Sequence, residues 1–140
     1  PWKPVNPDTR WVNVQTQQEI EDSLWSRYRD LIKLRNQTPA LSRGTVELLA
    51  CDDARILAYE RREGDDRIVV LVNVSGDTVN RYGVTIDGLP EKGRLGGVSL
   101  LGDRRSGMGR ADGAGVVRRW RPTVLRASEA LVLRLQTEER

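Results

Sequence analysis

The run Ile68-Val69-Val70-Leu71-Val72 holds five aliphatic side chains and no polar one. Successive residues of a strand point to opposite faces, so a strand built from this run is apolar on both. Such a strand belongs in the middle of a sheet that is covered on each side. The flanking segments supply its neighbours. After Gly44, Val46, Leu48 and Ala50 alternate with Thr45 and Glu47, and Ile56 to Arg61 follows the turn Cys51-Asp52-Asp53 as a second strand. Arg62-Glu63-Gly64-Asp65-Asp66 reads as a hairpin loop. Beyond the turn Ser75-Gly76-Asp77, Tyr82, Val84 and Ile86 alternate with Arg81, Gly83 and Thr85. Val98 to Leu101 is a short strand, and Leu131, Leu133 and Leu135 alternate near the end. Residues 88–115 hold nine of the thirteen glycines, and Gly102 to Gly115 is expected to be a flexible loop. Short strands at even spacing with turn signals between them predict an antiparallel sheet or sandwich.

Ahead of the sheet the period is helical. Leu24, Tyr28, Leu31 and Ile32 fall on one face of a helix over about 22–36, which Trp25 and Leu34 widen. Asp22 or Ser23 can cap its first turn. Pro39 ends it, because the residue before a proline is pushed out of the α region. Residues 1–16 contain Pro1, Pro4 and Pro7 with Trp2 and Trp11, and read as an extended arm. Trp11-Val12-Asn13-Val14 reads as a short strand with no nearby hairpin partner.

Composition removes several function classes. The chain has no histidine, which excludes His-based general-base chemistry and Ser-His-Asp triads and removes the commonest metal ligand. One cysteine, Cys51, permits neither an internal disulfide nor a thiolate zinc site. It reads as a small hydrophobe at a strand end, and its solitude fits a reducing compartment, with the cytoplasm favoured. No metal or cofactor is expected. No run approaches eighteen apolar residues, so no transmembrane helix and no membrane partner are expected. No signal peptide is visible, and a chain that opens on Pro1 rather than Met reads as a piece of something longer.

Charge is uneven. Residues 88–127 carry nine Lys or Arg against three acids, while the whole chain has a net charge of +3. Basic clustering is the footprint of a nucleic-acid binder, but Trp120 is the only aromatic there, so stacking platforms are missing. A solvated loop face is expected, with no nucleic-acid partner. Polyanion binding through the 104–121 arginines is the residual reading, and it predicts a steep loss of affinity with salt. Asp52-Asp53 and Asp65-Asp66 are the tight carboxylate pairs of the strand region, but both sit in turns, where acids serve local hydrogen bonds. Gly107-Met108-Gly109 with Gly113 misses the dinucleotide fingerprint by one residue. Asn36-Gln37-Thr38 and Asn73-Val74-Ser75 match the glycosylation triplet, which recurs by chance. The residues alone therefore define no catalytic site.

The order of several motifs adds to this reading. Pro1-Trp2-Lys3-Pro4-Val5-Asn6-Pro7 precedes Val12-Asn13-Val14-Gln15 and Gln17, then Asp22-Ser23, Tyr28, Leu31-Ile32 and Leu34-Arg35. Pro39-Ala40-Leu41 with Gly44, Val70 to Asn73 with Ser75, and Leu125 with Glu129 to Leu135 complete the series. This series resembles the end of the catalytic barrel and the C-terminal domain of α-glucosidases in the α-amylase family, glycoside hydrolase family 13, of oligo-1,6-glucosidase type. It also looks like the ectodomain of amino-acid transporter heavy chains, which share the architecture. Residues 88–121 are poorly covered.

The resemblance implies an extended arm and last barrel helix over 1–40, an antiparallel β-sandwich over 44–136, and a tail over 137–140. It places the family's catalytic carboxylates upstream, so no catalytic residue is carried over, and a full barrel needs about 250 residues. The implied role is a non-catalytic segment that stabilises the barrel of an α-glycosidase or glucosyltransferase. Leu24, Tyr28, Leu31 and Ile32 would pack on that barrel, the implied partner. The alternative is a sugar- or protein-binding module, with Trp2, Trp11 and Trp120 stacking on an α-glucan. An exposed helix stripe would also allow a homodimer.

Overall fold

A computed structural model describes residues 2–138. Pro1 of the opening motif and Glu139-Arg140 of the expected tail lie outside the described residues. The chain divides into two units, residues 1–38 and 39–140.

The first unit is helical where an extended arm was expected. A 3-10 turn spans Pro7–Arg10, and Asn6 Oδ1 accepts the Asp8 N–H at 3.0 Å to cap it. Helix α1 spans Val14–Glu19. Asn13 is extended at φ −139° and accepts the Thr16 N–H at 2.8 Å. That cap turns the expected strand Trp11–Val14 into a helix start, since a lone strand has no ladder to satisfy its backbone. Helix α2 spans Leu24–Gln37, close to the expected 22–36. Ser23 is its N-cap and accepts the Ser26 N–H at 3.1 Å. Both serines are buried, and Ser26 Oγ donates to Ile20 O at 3.0 Å, which fastens the start of α2 to the link before it.

The second unit opens with helix α3, Pro39–Arg43, which the sequence reading missed. Pro39 stops α2 but suits the first turn of a new helix, where no intrahelical N–H is required. Among the described residues eight strands follow: β1 Thr45–Leu48, β2 Ile56–Glu63, β3 Asp66–Asn73, β4 Val84–Ile86, β5 Arg94–Ser99, β6 Gly109–Arg110, β7 Val117–Trp120 and β8 Ala130–Glu138. A six-stranded antiparallel sheet runs β1-β2-β3-β8-β5-β6, and β4 pairs with β7 in a second, small sheet. The apolar run 68–72 lies in β3, between β2 and β8.

The two faces of the large sheet take alternate residues of β3. Val69 and Leu71 point inward with Ile56, Ala58, Leu131 and Leu133, and meet Val84, Ile86, Val117 and Trp120 of the small sheet in one core. Ile68 and Val70 point outward with Val132 and pack with Ala40 of α3. The domain is the expected antiparallel β-sandwich, with three α-helices among the described residues rather than one. Strand β8 continues to Glu138, so residues 137 and 138 of the expected tail belong to the sheet.

The glycine-rich stretch is built in rather than loose. Strand β6 lies inside it and pairs with β5. A Cβ on Gly109 would stand 2.7 Å from Val117 Cγ1 and 3.1 Å from the Trp120 ring. Glycine is needed there for close approach, not for mobility. Likewise a Cβ on Gly83 would stand 2.8 Å from Arg119 Cα.

A buried ion pair ties the sheet to the following turn. Arg67 donates to Glu60 through Nε at 2.5 Å and Nη2 at 2.9 Å, and to Asp87 O at 2.8 Å and Gly88 O at 2.9 Å. Both side chains are buried. Two carboxylate oxygens and two carbonyls therefore satisfy one guanidinium, which is the condition for keeping such a charge inside.

Candidate functional site

The surface that stands out lies on the first unit. Residues Leu24, Tyr28, Leu31 and Ile32 of α2 are 66%, 60%, 46% and 56% exposed. Only Ser26 is buried on that helix. Each turn of α2 thus sets an aliphatic or aromatic side chain on a wet face, the reverse of what an amphipathic helix does in a finished core. Beside the stripe, Val12, Val14, Leu24, Trp25 and Tyr28 line an open apolar groove of about 380 Å³ with Asn13 and Gln17. Asn13 builds the groove by starting α1, so Val12 and Val14 fall on its wall. The sequence reading missed these two valines because it took them for a strand.

The tryptophans separate. Trp2 is 90% exposed with Lys3 Nζ 4.7 Å from its ring centroid, and Trp11 is 75% exposed. Trp120 is 2% exposed, and its Nε1 donates to Gly107 O at 2.8 Å. Trp120 therefore has no free ring face for a sugar, which corrects the stacking role expected of it. Its apolar neighbours and its satisfied N–H make it a core residue.

The remaining candidates serve the fold. Asp52 Oδ1 accepts the Gly83 N–H at 2.6 Å, and Oδ2 lies 3.0 Å from Arg119 Nη2. Asp53 binds Arg55, and that hydrogen bond lowers its pKa from 3.8 to about 2. Asp66 pairs with Arg134 at 2.8 Å. Cys51 bridges Val84, and burial raises its thiol pKa. Tyr82 is buried and donates to Thr123 O at 2.7 Å. Asn73 of the second glycosylation triplet is buried, with Nδ2 donating to Asp77 O at 2.7 Å and Arg126 O at 2.8 Å. It is closed to a modifying enzyme. Within the basic stretch, Arg104 pairs with Glu129, Arg118 with Asp112 and Arg119 with Asp52. Arg118 and Arg119 lie on β7 rather than in a loop.

Among the described residues no group of three or more His, Cys, Asp or Glu could hold a metal ion. No helix among them is long and apolar enough to cross a membrane.

No family model matches the chain. The chain is similar to the oligo-1,6-glucosidase of Parageobacillus thermoglucosidasius, 37% identical over 78 residues, which is 56% of this chain and 14% of that enzyme. It is similar to the glucan 1,6-alpha-glucosidase of Streptococcus pneumoniae, 36% identical over 77 residues, 55% of this chain and 14% of that enzyme. The alpha-glucosidase of Pediococcus pentosaceus is 36% identical over 88 residues, 62% of this chain and 16% of that enzyme. The chain therefore spans about one seventh of the length of these relatives.

Solved structures give the same picture. The trehalulose synthase MutB of Pseudomonas mesoacidophila superposes with a TM-score of 0.65 at 25% identity, over 97% of this chain and 22% of that one. The isomaltulose synthase of Klebsiella gives 0.66 at 24% over the same shares, and shows the fold alone. The resemblance to α-glucosidases read from the sequence holds in the relatives it matches.

Proposed function

We propose that this chain is the non-catalytic C-terminal segment of an α-glucosidase-like carbohydrate-active enzyme, and that it covers and stabilises the enzyme's (β/α)8 barrel. The observation that carries this is the open stripe of α2. Four large side chains that face water in the chain by itself would each contribute roughly 1.5–3 kcal/mol on full burial. The exposed Trp2 and Trp11 fit the same cover, and the short share of each relative that the chain matches supports it. The parent enzyme cleaves or transfers α-glucosidic bonds, a reading that rests on relatives and neighbours named as glucosidases and as sugar synthases.

The test uses the full-length gene product. Leu31→Asp is expected to lower its melting temperature while leaving kcat/KM unchanged below the transition. An unchanged melting temperature counts against the proposal. So does an immunoblot that finds a native product of 15.8 kDa, since the chain would then be an autonomous module.

A further inference from the structure

At one end the outer face of the large sheet turns polar, and its side chains there serve no contact of the fold. Alternation fixes which residues share that end. Leu95 is buried in the core, so Arg94, Gly96 and Val98 of β5 turn outward. Val98 stands opposite Arg105 and Arg134, Gly96 opposite Gln136, and Arg94 opposite Glu138. Residues opposite each other in a ladder share a face, so these side chains turn outward as well. Met108 joins them, since a Cβ on Gly96 would stand 3.0 Å from its sulfur.

The result is a groove of about 110 Å³. Gly96 and Gly97, both buried, give it a floor of bare backbone, and Arg105, Met108, Gln136 and Glu138 stand around it. The side chains of Arg105, Gln136 and Glu138 are exposed and have no hydrogen bond or ion pair among the described residues. Their neighbours do: Arg134 has Asp66, and Arg104 has Glu129. Arg105 and Glu138 thus line one groove with opposite charges and do not meet.

A guanidinium only donates, a carboxylate only accepts, and a carboxamide does both. A simple anion would suit Arg105 but meet Glu138 as a like charge, and a simple cation would do the reverse. Neutral groups that each donate and accept satisfy all three side chains, and neighbouring hydroxyls have that chemistry. Met108 adds an apolar surface for the C–H face of a ring. An extended peptide suits the place less, because β5 already pairs with β6 on one side and β8 on the other and offers no open ladder.

We propose that this groove binds one end of a neutral saccharide. Arg105 and Gln136 donate to hydroxyl oxygens, Glu138 accepts from a hydroxyl, and Met108 lies against the ring. The assignment stands on the groove and does not need the parent-enzyme reading.

Met108 is the only methionine, so isotopic labelling of its methyl gives one nuclear magnetic resonance signal at the groove. The 140-residue chain is titrated with maltotriose at millimolar concentration. A saturable shift of the Met108 methyl is expected, together with the amide signals of Gly96 and Gly97. Arg105→Ala and Gln136→Ala should each weaken binding about tenfold, the usual size for one lost hydrogen bond. Both side chains are exposed, so the melting temperature should stay unchanged. Trp11→Ala, away from the groove, should leave the Met108 shift as it is. An unmoved methyl overturns the proposal, and so does an equal shift in Gln136→Ala. Equal shifts with glycerol mean that any small polyol wets the groove, and equal shifts with sulfate mean an anion site on the arginines. Either result overturns the saccharide assignment.

Discussion

The two units handle their apolar residues in opposite ways. The second buries them: every large apolar side chain of the core, from Ile56 to Leu133, belongs to the sandwich. The first buries two serines at the start of α2 and leaves Leu24, Tyr28, Leu31 and Ile32 in water. One unit holds itself together by excluding water from its own centre. The other holds its local shape through caps, with Asn13 starting α1 and Ser23 starting α2. Caps fix where a helix begins but provide little of the stability that burial does. The difference teaches that regular local structure and a finished core are separate achievements, and that the first unit has only the former.

Substitutions can break this contrast in order of expected size. Arg67→Ala should be the most damaging, because it leaves Glu60 charged and buried and frees the carbonyls of Asp87 and Gly88. Breaking such a pair costs about 3–5 kcal/mol, so thermal unfolding of the chain should show a large drop in melting temperature. Trp120→Ala should come close, at about 3–5 kcal/mol for an emptied aromatic site, with the Gly107 carbonyl losing one of its two donors and keeping Ser106 Oγ. A denaturant midpoint unmoved by either change would mean that the sandwich core is not where stability lies.

Gly109→Ala should cost about 1–3 kcal/mol, the usual size for overpacking, because its Cβ runs into Val117 and the Trp120 ring. Near-UV circular dichroism of Trp120 should change with it. In the first unit, Ser23→Ala should cost about 0.5–2 kcal/mol of helix stability, read as lost helicity with the sandwich intact. Leu31→Asp in the 140-residue chain should stay within about 0.5 kcal/mol, since Leu31 already faces water. A large loss there would mean that the stripe is covered within this chain, and would undo the contrast.

The smallest effect concerns acid. Arg55 holds Asp53 at a pKa of about 2, below its ordinary 3.8. A depressed carboxylate pKa means that the native state favours the charged form. Its contribution is present above pH 3.8 and disappears as pH falls through about 2. Asp53→Asn should therefore lower the melting temperature slightly at neutral pH, and by much less near pH 2. Because the pair is exposed, the difference should shrink in high salt.

Much of the fold was legible in the chain. The five-residue run from Ile68 announced a strand covered on both sides, and β3 lies between β2 and β8 with a core on each face. The i, i+4, i+7 spacing announced a helix over about 22–36 capped by Asp22 or Ser23, and α2 runs Leu24–Gln37 with Ser23 as the cap. The extended arm was misread because three prolines and a Val-Asn-Val triplet look alike in a strand and at a helix start. Only the Asn13 cap distinguishes them, and it depends on one backbone angle. The candidate site was half legible. The stripe on α2 followed from spacing, but Val12 and Val14 entered the groove only once α1 was a helix.

Periodicity states which residues share a face, and composition states what chemistry is absent. Both are local or global sums, so the sequence alone determined the strand-rich class, the helix and the lack of histidine chemistry. Whether a face is covered is a property of what comes near it from elsewhere in the chain. Trp120 became core because Gly109 and Val117 close on it. Arg118 and Arg119 became strand residues because β4 offered a ladder. Leu48 and Leu57 stayed exposed toward the β1 edge of the sheet, although each stands in a ladder. Those outcomes depend on long-range pairing, and the tertiary structure alone decided them.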